Sequence, residues 1–128
     1  MERRAEPDRD ANGRALLSML GLAARARATV NGTAAARAAV REGKAAAVVI
    51  AADASPTQSR KLVPLLRARG TPFAVCMTQA DLGGALGRGP VTAVAVLDTH
   101  LARRIIELAG APPQLQDVQE ESRTDASL

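Results

Sequence analysis

The sequence predicts an α/β fold, a three-layer α-β-α sandwich built on a small mixed sheet, and three observations predict it. Three short apolar runs, residues 45–51, 72–77 and 91–97, have the continuous hydrophobicity of strands buried on both faces. The stretches between them have helical periodicity, each opened by a capping residue and closed by a glycine. With 128 residues, the chain has room for one domain with a continuous core and little for a second.

The elements follow in order. Residues 14–27, RALLSMLGLAARAR, place Leu16, Leu17, Leu20, Ala23 and Ala24 on one face, with Arg14, Ser18 and Arg25 opposite, and predict the first helix. Thr29 and Val30 lead to the turn dipeptide Asn31-Gly32, and an alanine-rich helix runs from about Thr33 to Glu42 before Gly43 stops it. AAAVVIA, residues 45–51, is the first core strand. Ser55, Pro56 and Gln58 then form a helix start, with serine as N-cap, proline in the first position and glutamine in the third. That helix carries Leu62, Leu65 and Leu66 inward and ends at Gly70, and Pro64 within it predicts a kink or a split. PFAVCM is the second strand; Thr78 and Asp81 cap a short helix closed by Gly87; VTAVAVL is the third strand. Asp98 or Thr99 caps a last helix with Leu101, Ile105 and Leu108 on one face. Residues 13–110 are thus the folded domain. Residues 1–12 are expected to form a disordered N-terminal arm and residues 111–128, polar and acidic without periodicity, a disordered tail.

Charge is uneven along the chain. Residues 13–110 hold thirteen Lys and Arg against five Asp and Glu, a net charge of +8, whereas residues 1–12 carry −1 and residues 111–128 carry −3. A basic domain with acidic ends points to an anionic partner, most often nucleic acid, because clustered cations pair with phosphates and release counterions. Arg outnumbers Lys fifteen to two, a bias expected of a GC-rich genome, but such bias does not create an excess of basic over acidic residues.

Other classes are disfavoured by inventory. Phe73 is the only aromatic residue, so a sheet that stacks single-stranded bases is not available. Cys76 is the only cysteine, which excludes an internal disulfide or a cysteine-built metal site and reads as a small strand hydrophobe. No run of about 18 or more uncharged apolar residues exists, and the charged N-terminus MERRAEPDRD has no signal-type apolar stretch after it, so a cytoplasmic location is expected. His100 is the only histidine and sits in the first turn of a helix. Asp53, Asp81 and Asp98 stand at helix or strand ends, where capping explains them, although Asp53 closes a core strand where α/β sites collect. GGALGRG lacks dinucleotide-fingerprint spacing, and Gly43-Lys44 is followed by alanine where a phosphate loop needs Ser or Thr. No catalytic residues, metal or cofactor are expected.

Two features remain. Arg37, Arg41 and Lys44 are spaced to form a basic stripe along the alanine helix, and the amides of Gly32 to Ala35 open that helix beside methyl-sized side chains, which lets a phosphate approach closely. The loop GRGPV, residues 87–91, presents Arg88 between two glycines with an apolar edge of Pro90 and Val91.

LSMLGLAARA, VNGTAAARAAVREGKAAAVVIAADAS, LVPLLRARGTPF and DLGGALGRGPVTAVAVLD, in that order over about residues 15–110, resemble the kink-turn RNA-binding ribosomal proteins (ribosomal protein L7Ae-like), especially bacterial YlxQ-type members. The most specific parts are the G-T opening of the second helix, the strand ending in A-x-D-A-S, and Leu82-Gly83 followed by Gly87. The resemblance implies a non-enzymatic α-β-α protein that binds structured, kinked RNA, such as rRNA. By position it assigns Gly32, Thr33, Ala34, Ala35 and Ala38 to the RNA groove, and Arg88, Gly89, Pro90 and Val91 to a protruding nucleotide. Many relatives have asparagine, glutamate and lysine where this chain has Ala34, Ala35 and Ala38, so base-edge hydrogen bonds from those positions are lost and phosphate binding is retained. An alternative is a protein-interaction or adaptor domain whose alanine surface near residues 34–38 packs on a protein partner or a second copy.

Overall fold

The structure, a computed structural model, describes residues 2–110, with side chains described from residue 11 onward. Its elements are α1 (Glu2–Arg25), β1 (Thr29–Asn31), α2 (Thr33–Arg41), β2 (Ala47–Ile50), α3 (Pro56–Arg69), β3 (Phe73–Val75), α4 (Gln79–Ala85), β4 (Ala93–Val96) and α5 (Thr99–Ala109).

The four strands form one mixed sheet in the order β1-β4-β2-β3. β4 is antiparallel to both β1 and β2, whereas β2 and β3 are parallel. β2 and β4 are buried at every position, as their unbroken apolar runs require of strands covered on both faces. Alternation along each strand then divides the core. Ala47, Val49, Val94 and Val96 pack with Leu16, Leu20 and Ala23 of α1, Leu82 of α4 and Ile105 of α5. Val48, Ile50, Ala93 and Ala95 pack with Ala36, Ala39 and Val40 of α2 and Leu62 and Leu66 of α3. Helices α1, α4 and α5 thus cover one face and α2 and α3 the other, giving the expected α-β-α sandwich. Small side chains on β4 let the helices approach closely, and Phe73 fills the α3 side of the core.

Four details differ from expectation. β1 is a strand where the sequence suggested only a lead into a turn; its three residues pair with Val94 to Val96 at the sheet edge. Helix α1 begins at Glu2, earlier than the start expected at residue 14, with Pro7 in its second turn. Helix α3 is not split at Pro64, whose ring is solvent-exposed, as is Arg60 four residues earlier, so water can satisfy the Arg60 carbonyl that loses its helical donor. Val91, assigned both to the apolar edge of the 87–91 loop and to the core run 91–97, is buried as the core run requires, although β4 itself starts only at Ala93. The acidic tail, residues 111–128, lies outside the described residues.

Candidate nucleic-acid interface

The strand directions gather one end of the sheet into a single surface. The C-terminal ends of β1, β2 and β3 and the N-terminal end of β4 lie together, because β4 alone runs the other way. The start of α2, residues 51–55, the start of α4 and the 87–91 loop are all attached there.

Gly32 fixes the start of α2. Its N–H donates to Ala93 O (2.7 Å), closing the β1–β4 ladder, and its carbonyl accepts from Ala36 N (2.9 Å), opening the helix. The backbone turns from strand to helix at φ 100°, ψ 155°, a conformation that side chains with a β-carbon rarely adopt. Ser55, Thr78 and Asp98 cap α3, α4 and α5 with side-chain acceptors, but Gly32 has none to offer. The amides of Thr33, Ala34 and Ala35 therefore have no acceptor among the described residues, at the positive end of the helix dipole. The Gly32 amide is excluded from this set by its bond to Ala93. Asn31 Oδ1 and Thr33 Oγ1, on either side of the glycine, are buried and have no hydrogen-bond partner among the described residues. Neither oxygen is accessible from outside, so the three acceptor-free amides, and not these atoms, are what the tip offers an anion. The turn signal at Asn31-Gly32 gave no sign of the two buried oxygens.

The 87–91 loop is held against α4. Arg88 N donates to Gly83 O (2.9 Å) and Gly87 N to Gly84 O (3.1 Å), the bonding pattern of a Schellman helix end. Val91 N donates to Gln79 O (3.0 Å). Gln79 also links to the end of β2, its N–H donating to Asp53 Oδ1 (2.9 Å) and its side-chain amide to Asp53 O (3.1 Å). Thr92 Oγ1 donates to Gln79 Oε1 (3.4 Å). Asp53 thus has a positioning role that its place at a strand end hinted at; Gln79, the hub, carried no sequence signal. Arg88, Gly89 and Pro90 are exposed on this support. Because Ala93 holds Gly32 and lies two residues past Val91, the sheet brings the α2 tip and this loop to adjacent ends of β1 and β4.

The basic stripe is placed differently. Ala34, Ala35 and Ala38 are exposed beside the tip, but Arg41 lies about 12 Å along the axis from Thr33. Arg37 Nε donates to Lys61 O (3.1 Å) on α3, and Lys44 pairs with Glu42 (3.3 Å), an exposed contact of little strength. Arg37 and Arg41 therefore flank the side of α2 that faces α3, Lys44 lies past the helix end, and none of the three surrounds the amides.

Chemically reactive arrangements are sparse. Among the described residues, no group of three or more His, Cys, Asp and Glu is placed to hold a metal ion. Burial pushes the Cys76 thiol above its ordinary range, which disfavours the reactive thiolate. No helix among the described residues is long and apolar enough to cross a membrane.

Known proteins share this fold. Among solved structures, a Bacillus halodurans protein of unknown function superposes with a TM-score of 0.72 at 30% sequence identity, covering 74% of this chain and 96% of that one. A Giardia lamblia 15.5 kD RNA-binding protein superposes with a TM-score of 0.66 at 27% identity, covering 78% of this chain and 86% of its own. No curated protein sequence matches. The family profile described as ribosomal protein L7Ae/L30e/S12e/Gadd45 matches residues 14–105, nearly the whole folded domain, and the chain belongs to that family.

Proposed function

We propose that this chain is a non-enzymatic binder of structured RNA, of the kink-turn type read by YlxQ-like proteins, in rRNA or another kinked RNA of the cytoplasm. The observation that carries the reading is the α2 tip: three amides without acceptors among the described residues, at the positive end of the helix dipole. Phosphate oxygens satisfy such amides directly, and alanine methyls at positions 34 and 35 keep larger groups from blocking them. The 87–91 loop supplies a cation at Arg88 and an apolar edge at Pro90 for a nucleotide displaced at a kink. Family membership and the RNA-binding Giardia neighbour support the same partner class.

With alanine at 34, 35 and 38, recognition depends on backbone shape and phosphate position rather than base edges. The adaptor alternative has less support, because the exposed large hydrophobics among the described residues, Leu22 and Val75, both lie outside α2 and would not anchor a protein there. The test is titration of a kinked RNA and a straight duplex of equal length at several salt concentrations. Preference for the kinked RNA, with a steep salt response, supports the proposal; equal binding of both, or none, contradicts it. The absence of Trp and Tyr makes the ratio of absorbance at 260 and 280 nm a sensitive check for RNA carried through purification.

A further inference from the structure

We propose that the seam between α2 and α3 is a second phosphate-binding surface, which holds a duplex arm of the RNA as it leaves the α2 tip; this rests on the helix-tip reading. Arg37, Arg41, Arg60, Lys61, Arg67 and Arg69 are all exposed on this layer, and none is paired with a carboxylate among the described residues.

Two of these guanidiniums are already anchored across the seam. Arg37 Nε donates to Lys61 O (3.1 Å), and Arg69 Nη1 donates to Arg41 O (3.0 Å). Each anchor uses one donor and leaves the others of the five-donor fork for an anion, with part of the side-chain ordering already done. Since residue 37 lies by 61 and 41 by 69, both helices run away from the tip in the same sense. Ala34, Ala38 and Arg41 follow helical spacing along one face of α2, so RNA laid over the alanines meets Arg41 next. From Lys61 to Arg69 the seam is about 12 Å long, enough for about three or four phosphates of one strand.

The chemistry favours a phosphodiester backbone over an acidic protein. Neither exposed large hydrophobic, Leu22 or Val75, lies on the seam, so a protein partner would find no buried anchor there. Phosphate contacts need only placed cations and act without base readout, which matches the loss of polar side chains at positions 34, 35 and 38.

The test compares wild type with Arg41→Gln/Lys61→Gln, whose side chains carry no hydrogen bond that holds the fold, on kinked RNAs with one short or one extended duplex arm. Unchanged circular dichroism and melting temperature verify folding of the variant. The extended arm is expected to tighten wild-type binding about tenfold at moderate salt, and the variant to lose that gain and show a log–log salt slope smaller by about two. Short-arm binding is expected to change by less than about twofold. Equal wild-type affinity for short and extended arms, or an unchanged salt slope in the variant, overturns the seam proposal. Failure of the helix-tip reading is distinct: wild type would then bind a straight duplex as well as a kinked one of the same arm length.

Discussion

The backbone of Gly83 lies directly against the carbonyl group of Gly89, so that a β-carbon on Gly83 would overlap it. Gly83 is buried within α4, and Gly89 is in the loop that α4 supports. Gly83→Ala must therefore push the loop away from the helix, at a cost of about 1–3 kcal/mol for an overpacked contact. Its neighbour is the control. A β-carbon on Gly84 would meet nothing within 4 Å, and the backbone there is ordinary helix, so Gly84→Ala is expected to be neutral or stabilising by up to about 1 kcal/mol. Urea denaturation of the two variants checks the contrast, and weakened RNA binding is expected only for Gly83→Ala.

Gln79 joins three segments that the sequence separates. Truncation in Gln79→Ala removes the bonds from its side chain to Asp53 O and from Thr92 Oγ1, while its backbone bonds to Asp53 Oδ1 and Val91 N remain. A loss of about 1–2 kcal/mol in stability is expected, measured by denaturant midpoint, because each such bond contributes about 1 kcal/mol net. Asp53→Ala, which leaves the Gln79 N–H without its acceptor, is expected to cost a similar amount and to weaken RNA binding through the loop.

Ala34→Asp separates folding from binding. A carboxylate in the first turn of α2 complements the helix dipole and is expected to stabilise the fold by about 0.3–1 kcal/mol. The same charge repels a phosphate from the tip, so RNA affinity is expected to fall by about tenfold or more at low salt. A melting curve and a titration on one protein sample decide the matter. Parallel changes in stability and affinity would contradict the account.

Restoring polar side chains is expected to restore discrimination. Ala34→Asn/Ala35→Glu/Ala38→Lys returns to three exposed positions the residue types that many relatives have there. A bidentate base contact is worth about 1–3 kcal/mol, so the variant is expected to distinguish the correct base from a mismatch about 5- to 150-fold better than wild type. Competition binding with single-base RNA variants measures it.

Local signals made most of the fold legible. Ser55, Thr78 and Asp98 cap the helices they were expected to cap, and Gly43, Gly70 and Gly87 lie with positive φ just beyond helix ends. The two fully buried strands stood out because every residue in them is apolar. β1 did not, since Thr29 to Asn31 is short, half-buried and contains one large apolar residue; its pairing with β4 comes from contacts some 65 residues apart in the chain. The same distance effect hid the Gln79 hub and the Arg37–Lys61 contact. Helical spacing extended the stripe of Arg37 and Arg41 to Lys44, but α2 ends at Arg41 and Gly43 takes the chain out of register, and spacing could not tell that the flank of Arg37 faces α3. Val91 was legible in part: the apolar run 91–97 correctly put it in the core, while its place in the loop suggested a contact edge.

The most direct measurement is a titration of ¹⁵N-labelled protein with kinked RNA, following backbone amide shifts. Downfield shifts are expected at Thr33, Ala34 and Ala35, with further changes at Arg88 and Gly89 and little change on the outer faces of α1 and α5. Saturating RNA that leaves the three α2 amides unmoved while perturbing other surfaces would contradict the account.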